Sequence, residues 1–170
     1  MFDRFFPDQY VASTYVIDFE KLYEEGVRGL IFDIDNTLVP HGAPADERAK
    51  ALFARLKAIG FRCCLISNNQ KPRVEMFNKD IQVDYVYNAH KPSTRNYLRA
   101  MEIMGTDRRS SVFIGDQLFT DVYGAKRTGI YNILVKPIHP KEEIQIVLKR
   151  KLEKIVLYFY KKEKRKRKNS

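Results

Sequence analysis

Two acidic pairs carry most of the chemistry this sequence has to offer. Asp33-Ile34-Asp35-Asn36-Thr37 sets two carboxylates two residues apart and a hydroxyl two further on, and Gly115-Asp116-Gln117-Leu118-Phe119-Thr120-Asp121 supplies a second pair. Average usage yields a D-x-D-x-T match in a chain of this size roughly 3 times in 100, and G-D-x-x-x-T-D roughly 2 times in 1000, so the second pattern weighs more. Ser67-Asn68-Asn69 and Lys91-Pro92 add hydroxyl, amide and ammonium groups. Carboxylates that converge repel one another unless a cation sits among them, so the set calls for a lysine, a hard divalent ion, or both. Taken singly, each residue has a plainer reading. Asp33 and Asp35 suit a turn and a helix cap, Lys91 a solvated surface and Ser67 a strand end. His41 reads as a loop residue and takes no role. The choice turns on whether these groups share one edge.

The elements around them place them on such an edge. Leu30 to Phe32, Phe61 to Ile66, Val83 to Tyr87, Val112 to Ile114 and Ile130 to Val135 read as five strands buried on both faces, which suits a parallel sheet. Between the first two, Ala49, Leu52, Phe53, Leu56 and Ile59 recur at helical spacing, and Gly60 stops the helix. Ser93 reads as the N-cap of a later helix that buries Tyr97, Leu98, Met101 and Met104 and ends at Gly105. The expected fold is α/β, a doubly wound, mainly parallel five-stranded sheet. Ligands in such sheets bind beyond the carboxyl ends of the strands. Each of the first four strands delivers polar residues there.

In that order, D-x-D-x-T, Ser, Lys-Pro and G-D-x-x-x-T-D, the residues resemble the haloacid dehalogenase (HAD) superfamily of phosphatases over about residues 28 to 136. The resemblance implies a Rossmann-like catalytic domain and a magnesium cofactor. It makes Asp33 the nucleophile and Asp35 the general acid and base. Thr37, Ser67, Asn68 and Lys91 would hold the phosphoryl group. Asp33, Asp116 and the backbone carbonyl of Asp35 would ligate the metal, with Asp121 in support. The chemistry agrees, since a carboxylate attacking a phosphate dianion needs positive charge around it, and hard oxygen ligands suit magnesium better than zinc. The gaps at 38 to 60 and 70 to 90 leave no room for a cap domain, so the catalytic face is expected to be open. The Phe6-Pro7-Asp8-Gln9-Tyr10-Val11 opening and the motif spacing resemble the YqeG family, related to phosphatidylglycerophosphate phosphatases. That likeness implies a phospholipid substrate.

Composition bounds the rest. The 170 residues carry a formal net charge of +10, and residues 161 to 168 supply seven positive charges and one negative. The expected division is an aromatic-rich segment at 1–27 packing on the core, a catalytic domain at 28–140, an amphipathic helix at 141–160 and a disordered basic tail at 161–170. The tail suits an anionic membrane surface and, less well, nucleic acid. Cys63 and Cys64 adjoin in an apolar run and read as buried thiols, with no support for zinc or a disulfide. With no secretory pattern and no run of about 20 apolar residues, the expected location is cytoplasmic, with a peripheral position on the inner face of the cell membrane compatible. A soluble phosphatase of a small metabolite and an RNA-associated protein with the same fold stand as alternatives.

Overall fold

The computed structural model describes residues 2–139 and 144–168, with only the helical backbone described at 144–147. The elements run β1 (Gln9–Val11), α1 (Phe19–Glu24), β2 (Gly29–Phe32), α2 (Glu47–Ile59), β3 (Arg62–Ile66), α3 (Lys71–Ile81), β4 (Asp84–Val86), α4 (Arg95–Met104), β5 (Ser111–Gly115), α5 (Tyr123–Thr128), β6 (Tyr131–Val135) and α6 (Ile144–Lys168). All strands pair in parallel, in the order β1-β6-β5-β2-β3-β4. Starting from β2, the chain builds outward through β3 and β4, then returns to the other side of β2 with β5 and β6. The reversal lies between β2 and β5, where crossovers diverge and leave a crevice.

Both faces of the sheet are covered, as the unbroken apolar runs require. Leu30, Phe32, Cys63, Leu65, Val112 and Ile114 pack on one side with Phe19, Phe53, Leu56 and Phe77. Ile31, Cys64, Ile66 and Phe113 pack on the other with Tyr97, Met101 and Met104. Gly60 and Gly105 close α2 and α4 at φ 118° and 65°, a region open to glycine at little cost.

Five expectations need correction. Strand β4 is an edge strand that exposes Asp84 and is followed by an exposed Tyr87, so it is not buried on both faces, and Leu98 stays 41% exposed on α4 instead of joining its buried row. The sheet has six strands, because the N-terminal segment adds β1 to the edge, paired with β6; that strand is only three residues long and half-exposed, so it lacks an apolar signature. Helix α4 begins at Arg95 after Thr94, with no side-chain cap, so Ser93 is not its N-cap. Residues 161–168 are not a disordered tail but the continuation of α6. Lys, Arg and Glu are good helix formers, and Glu163 pairs with Arg167 one turn on at 3.1 Å. The boundary at 140/141, the side chains of Ile144 and Val147, and residues 169–170 lie outside the described residues.

Burial pushes the thiols of Cys63 and Cys64 up to about 12, with the Asp84 charge adding to the effect at Cys64. A raised thiol pKa leaves the unreactive neutral form at pH 8. Iodoacetamide at pH 8 is expected to leave both cysteines unmodified in the native protein and to alkylate both in denaturant. Rapid labelling of the native protein would contradict this packing.

Candidate active site

Asp33 is the first residue beyond β2, and its N–H donates to the Ile114 carbonyl of β5 (3.0 Å), which fixes the chain at the crevice. Its side chain is turned into the protein. Lys91, from the loop after β4, places Nζ 2.6 Å from Asp33 Oδ1 and 2.7 Å from Asp121 Oδ1. Asp121 lies in the π-helical turn Leu118–Val122 that follows β5. Its other oxygen, Oδ2, accepts from the backbone N–H groups of Asp116 (3.1 Å) and Gln117 (3.0 Å). That clasp explains Gly115, since a Cβ there would lie 2.5 Å from Asp121 Oδ2.

Thr37 closes the set from the other loop. Its Oγ1 is 3.2 Å from both Asp33 Oδ2 and Asp116 Oδ1. A hydroxyl has one proton to give, so it serves one carboxylate at a time. In this arrangement the Thr37 proton goes to a carboxylate. Asn68 has a similar outcome: its Oδ1 accepts from Lys91 N–H (2.7 Å) and its Nδ2 donates to Lys91 O (3.2 Å). The side chain holds the lysine loop in register. Ser67 is buried at the end of β3, where its Oγ accepts from Asn69 N–H (3.1 Å).

Asp35 lies beside the Asp33-Asp116-Asp121 cluster with a separate set of partners, its side chain 12% exposed against 10% for Asp33. Its Oδ1 accepts from Gly42 N–H (2.7 Å) and from Arg73 Nη2 (2.9 Å), and its Oδ2 accepts from Asn69 Nδ2 (2.7 Å). His41 Nδ1 is 3.7 Å away on its exposed loop. Arg73 and Arg150 are the site residues that sequence reasoning misses, and Asn69, visible in the polar run after the second predicted strand, takes its role only here. Arg73 sits one turn into α3, and its alignment with Asp35 comes only from the sheet order. Arg150, on α6, donates from Nη2 to Asp116 Oδ2 (2.5 Å) and from Nη1 to the Asp116 carbonyl (2.7 Å). Its neighbour Glu153 accepts from Leu118 N–H (3.0 Å).

Electrostatics explain the arrangement. Burial pushes Asp33 up to about 6, opposed by the charge of Lys91 and reinforced by that of Asp121. Burial likewise raises Asp116 well above the usual carboxylate range, and the charges of Asp33 and Asp121 add to the rise against the pull of Arg150. Burial alone would lower the pKa of Lys91, but the carboxylates of Asp121 and Asp33 outweigh it and push it up. The ammonium is held charged. Asp33, Asp116 and Asp121 each turn an oxygen to within 4.8 Å of the others. Three buried carboxylates facing two cations leave negative charge in excess, and the donors are all hard oxygens, so the set fits a divalent ion of the magnesium type.

The chain is similar to known phosphatases. The HAD-hydrolase-like family matches residues 88–137, from the lysine loop through β6. A probable phosphatase, YqeG of Bacillus subtilis, is 36% identical over 159 residues, 92% of either chain. This chain belongs to the HAD superfamily of phosphatases. The chloroplastic and mitochondrial phosphatidylglycerophosphate phosphatase 1 of Arabidopsis thaliana is 26% identical over 162 residues, which are 89% of this chain and 47% of that protein. Among solved structures, a putative 3-deoxy-D-manno-octulosonate 8-phosphate phosphatase from Vibrio cholerae superposes with TM-score 0.56 at 15% identity, covering 76% and 78% of the two chains. A subfamily III A hydrolase from Legionella pneumophila gives 0.53 at 17%, covering 71% of each chain. At those identities they show the fold. As a HAD phosphatase without a cap, the chain has only a loop with α2, and then α3 with β4, in the two positions where a cap would be inserted.

Removing the buried cation tests the electrostatic account. Lys91→Met is expected to destabilise the protein by about 3–5 kcal/mol in urea unfolding, since it leaves carboxylates buried without their partner. A loss below about 1 kcal/mol, the scale of an exposed ion pair, would contradict it.

Proposed function

We propose that this phosphatase is a magnesium-dependent phosphomonoesterase that works through a phospho-aspartate on Asp33 and dephosphorylates phosphatidylglycerophosphate to phosphatidylglycerol at a membrane surface. The observation that carries the mechanism is the pairing of a lysine-bound Asp33 with a second carboxylate two residues on, Asp35, which is held by Arg73 and Asn69 and not by the lysine. The substrate reading is supported by the Arabidopsis relative named for that activity, and by the lack of a cap domain among the described residues.

In the first half-reaction a carboxylate oxygen of Asp33 attacks phosphorus. The bond to the substrate oxygen breaks, and Asp35 gives that leaving oxygen a proton. In the second, Asp35 takes a proton from water as its oxygen attacks the phosphorus of the acyl phosphate, releasing phosphate and restoring the Asp33 carboxylate. Splitting the hydrolysis this way replaces one difficult step by two easier ones. Arg73, bound to Asp35, is a cation for an arriving phosphate, and its exchange onto substrate frees Asp35 for proton transfer. Lys91 has three donors, two of them used on Asp33 and Asp121, which leaves one for a phosphate oxygen. Held by Asp33, Asp116 and the carbonyl of Asp35, with Asp121 in support, magnesium would supply the positive charge that lets an anionic nucleophile approach an anionic phosphate.

Asp33→Asn is expected to abolish turnover while leaving the unfolding transition in place, because the amide keeps the shape but is no nucleophile; wild-type rates would refute the assignment. Asp35→Asn is expected to slow alkyl phosphates about 10²–10⁴-fold and nitrophenyl phosphate far less, since nitrophenolate leaves without a proton. Equal losses on both would remove Asp35 from the acid role. Phosphate release across phosphatidylglycerophosphate, sugar phosphates and nucleotides tests the substrate, and preference for a small soluble ester would replace the lipid.

A further inference from the structure

Helix α6 covers itself on one side and leaves another side bare. Glu153, Val156 and Tyr160 are buried, and Val156 packs in a cluster with Leu118, Val122 and Leu134. At about 100° per residue, Leu148, Leu152, Ile155 and Phe159 fall in a strip roughly 60° wide on a different side. They are 58%, 57%, 51% and 42% exposed. A solvated helix carries polar residues there, so a continuous apolar strip marks a docking surface. Farther along the same strip the next residues are Lys162 and Lys166, and a groove of about 660 Å³ beside it is lined by Phe2, Phe6 and Phe159 together with those lysines. Residues 144 to 168 hold eleven Lys and Arg against Glu153 and Glu163, eleven minus two, so the helix carries +9 of the chain's +10.

We propose that this face of α6 docks on an anionic lipid bilayer, its four apolar side chains entering the headgroup boundary and its lysines and arginines meeting lipid phosphates. The charge and the strip together select that partner. A second copy of the helix would cover the apolar residues but would bring +9 against +9. A nucleic acid would answer the charge but has no use for a Leu-Leu-Ile-Phe strip on the same helix. A bilayer with acidic headgroups takes both. The proposal deepens the phospholipid reading and rests on it: Arg150 and Glu153, on the side of the helix turned away from the strip, bind Asp116 and the Leu118 amide, so a docked α6 tethers the catalytic edge to the membrane with the width of one helix between them.

The test uses the full chain and lipids that carry no phosphomonoester, so docking is measured apart from substrate choice. Co-sedimentation is run with phosphatidylcholine vesicles containing or lacking phosphatidylglycerol. Binding is expected only with phosphatidylglycerol, and to weaken with salt. The double variant Leu152→Asp, Ile155→Asp is expected to bind about tenfold or more weakly. Lys162→Glu, Lys166→Glu is expected to weaken binding and flatten its salt dependence. Both variants are expected to keep wild-type circular dichroism and nitrophenyl phosphate turnover, since none of these residues touches the site. Unchanged binding by the apolar variant, or equal binding to neutral vesicles, overturns the proposal. So does a dimer in light scattering that the apolar variant dissolves, or RNA retention without vesicle binding. If vesicle binding holds but phosphatidylglycerophosphate is not hydrolysed, docking stands and the substrate reading falls; hydrolysis of dispersed lipid without vesicle binding has the reverse meaning.

Discussion

The ammonium of Lys91 lies 2.6 Å from Asp33 and 2.7 Å from Asp121 in a space that solvent barely reaches, and the catalytic edge is built around that contact. Burying three carboxylates beside one another costs several kcal/mol per charge unless cations answer them. Lys91 answers two, and Arg150 answers Asp116 from the opposite side. What surrounds the lysine serves to hold it there: Asn68 clasps its backbone, and the backbone amides of Asp116 and Gln117 fix Asp121. The same contact sets the chemistry. A carboxylate raised by burial and held by one lysine is ready to take a second, harder cation and to face a phosphate.

Segments far apart in the chain meet at this edge. The N-terminal segment supplies β1, and its Thr14 hydroxyl and Tyr15 hydroxyl donate to the carbonyls of Thr37 (2.8 Å) and Leu38 (2.6 Å), steadying the loop that carries Asp35. The segment after β6 adds a second brace, Ile138 N–H to the Asn36 carbonyl (3.1 Å). Helix α6 closes the far side through Arg150 and Glu153. The termini, which composition alone separates from the catalytic domain, are thus parts of its support.

The sequence makes the strand-end residues visible because a polar group is unusual directly after a run buried on both faces. Asp33, Ser67 and Asp116 come out that way, while Lys91, five residues beyond β4, is legible only through its place in the motif order; its ammonium joins Asp33 and Asp121 in the structure. Thr37 and Asn68 are legible as site residues but not in their bonding, since choosing between a phosphate, a carboxylate and a backbone partner takes coordinates. Arg73 and Arg150 carry no such signal, being charged residues on helices whose orientation is set by tertiary packing. Strand β1 is too short and too exposed at the sheet edge to show a pattern. The helical course of residues 161–168 is hidden by charge, because a basic run reads as solvated whether it is helical or not, while its propensity and the packing of Val156 and Tyr160 just before it favour the helix.

Covalent capture at Asp33 bears most directly on the whole account. Rapid quenching during turnover of nitrophenyl phosphate, then borohydride reduction and peptide mass spectrometry, would convert an acyl phosphate on Asp33 to homoserine at that one position. Homoserine at position 33 is expected in the wild-type protein with substrate, and none without substrate. Reduction at another carboxylate, or none at any position while turnover proceeds, would contradict the assignment of Asp33 as the nucleophile.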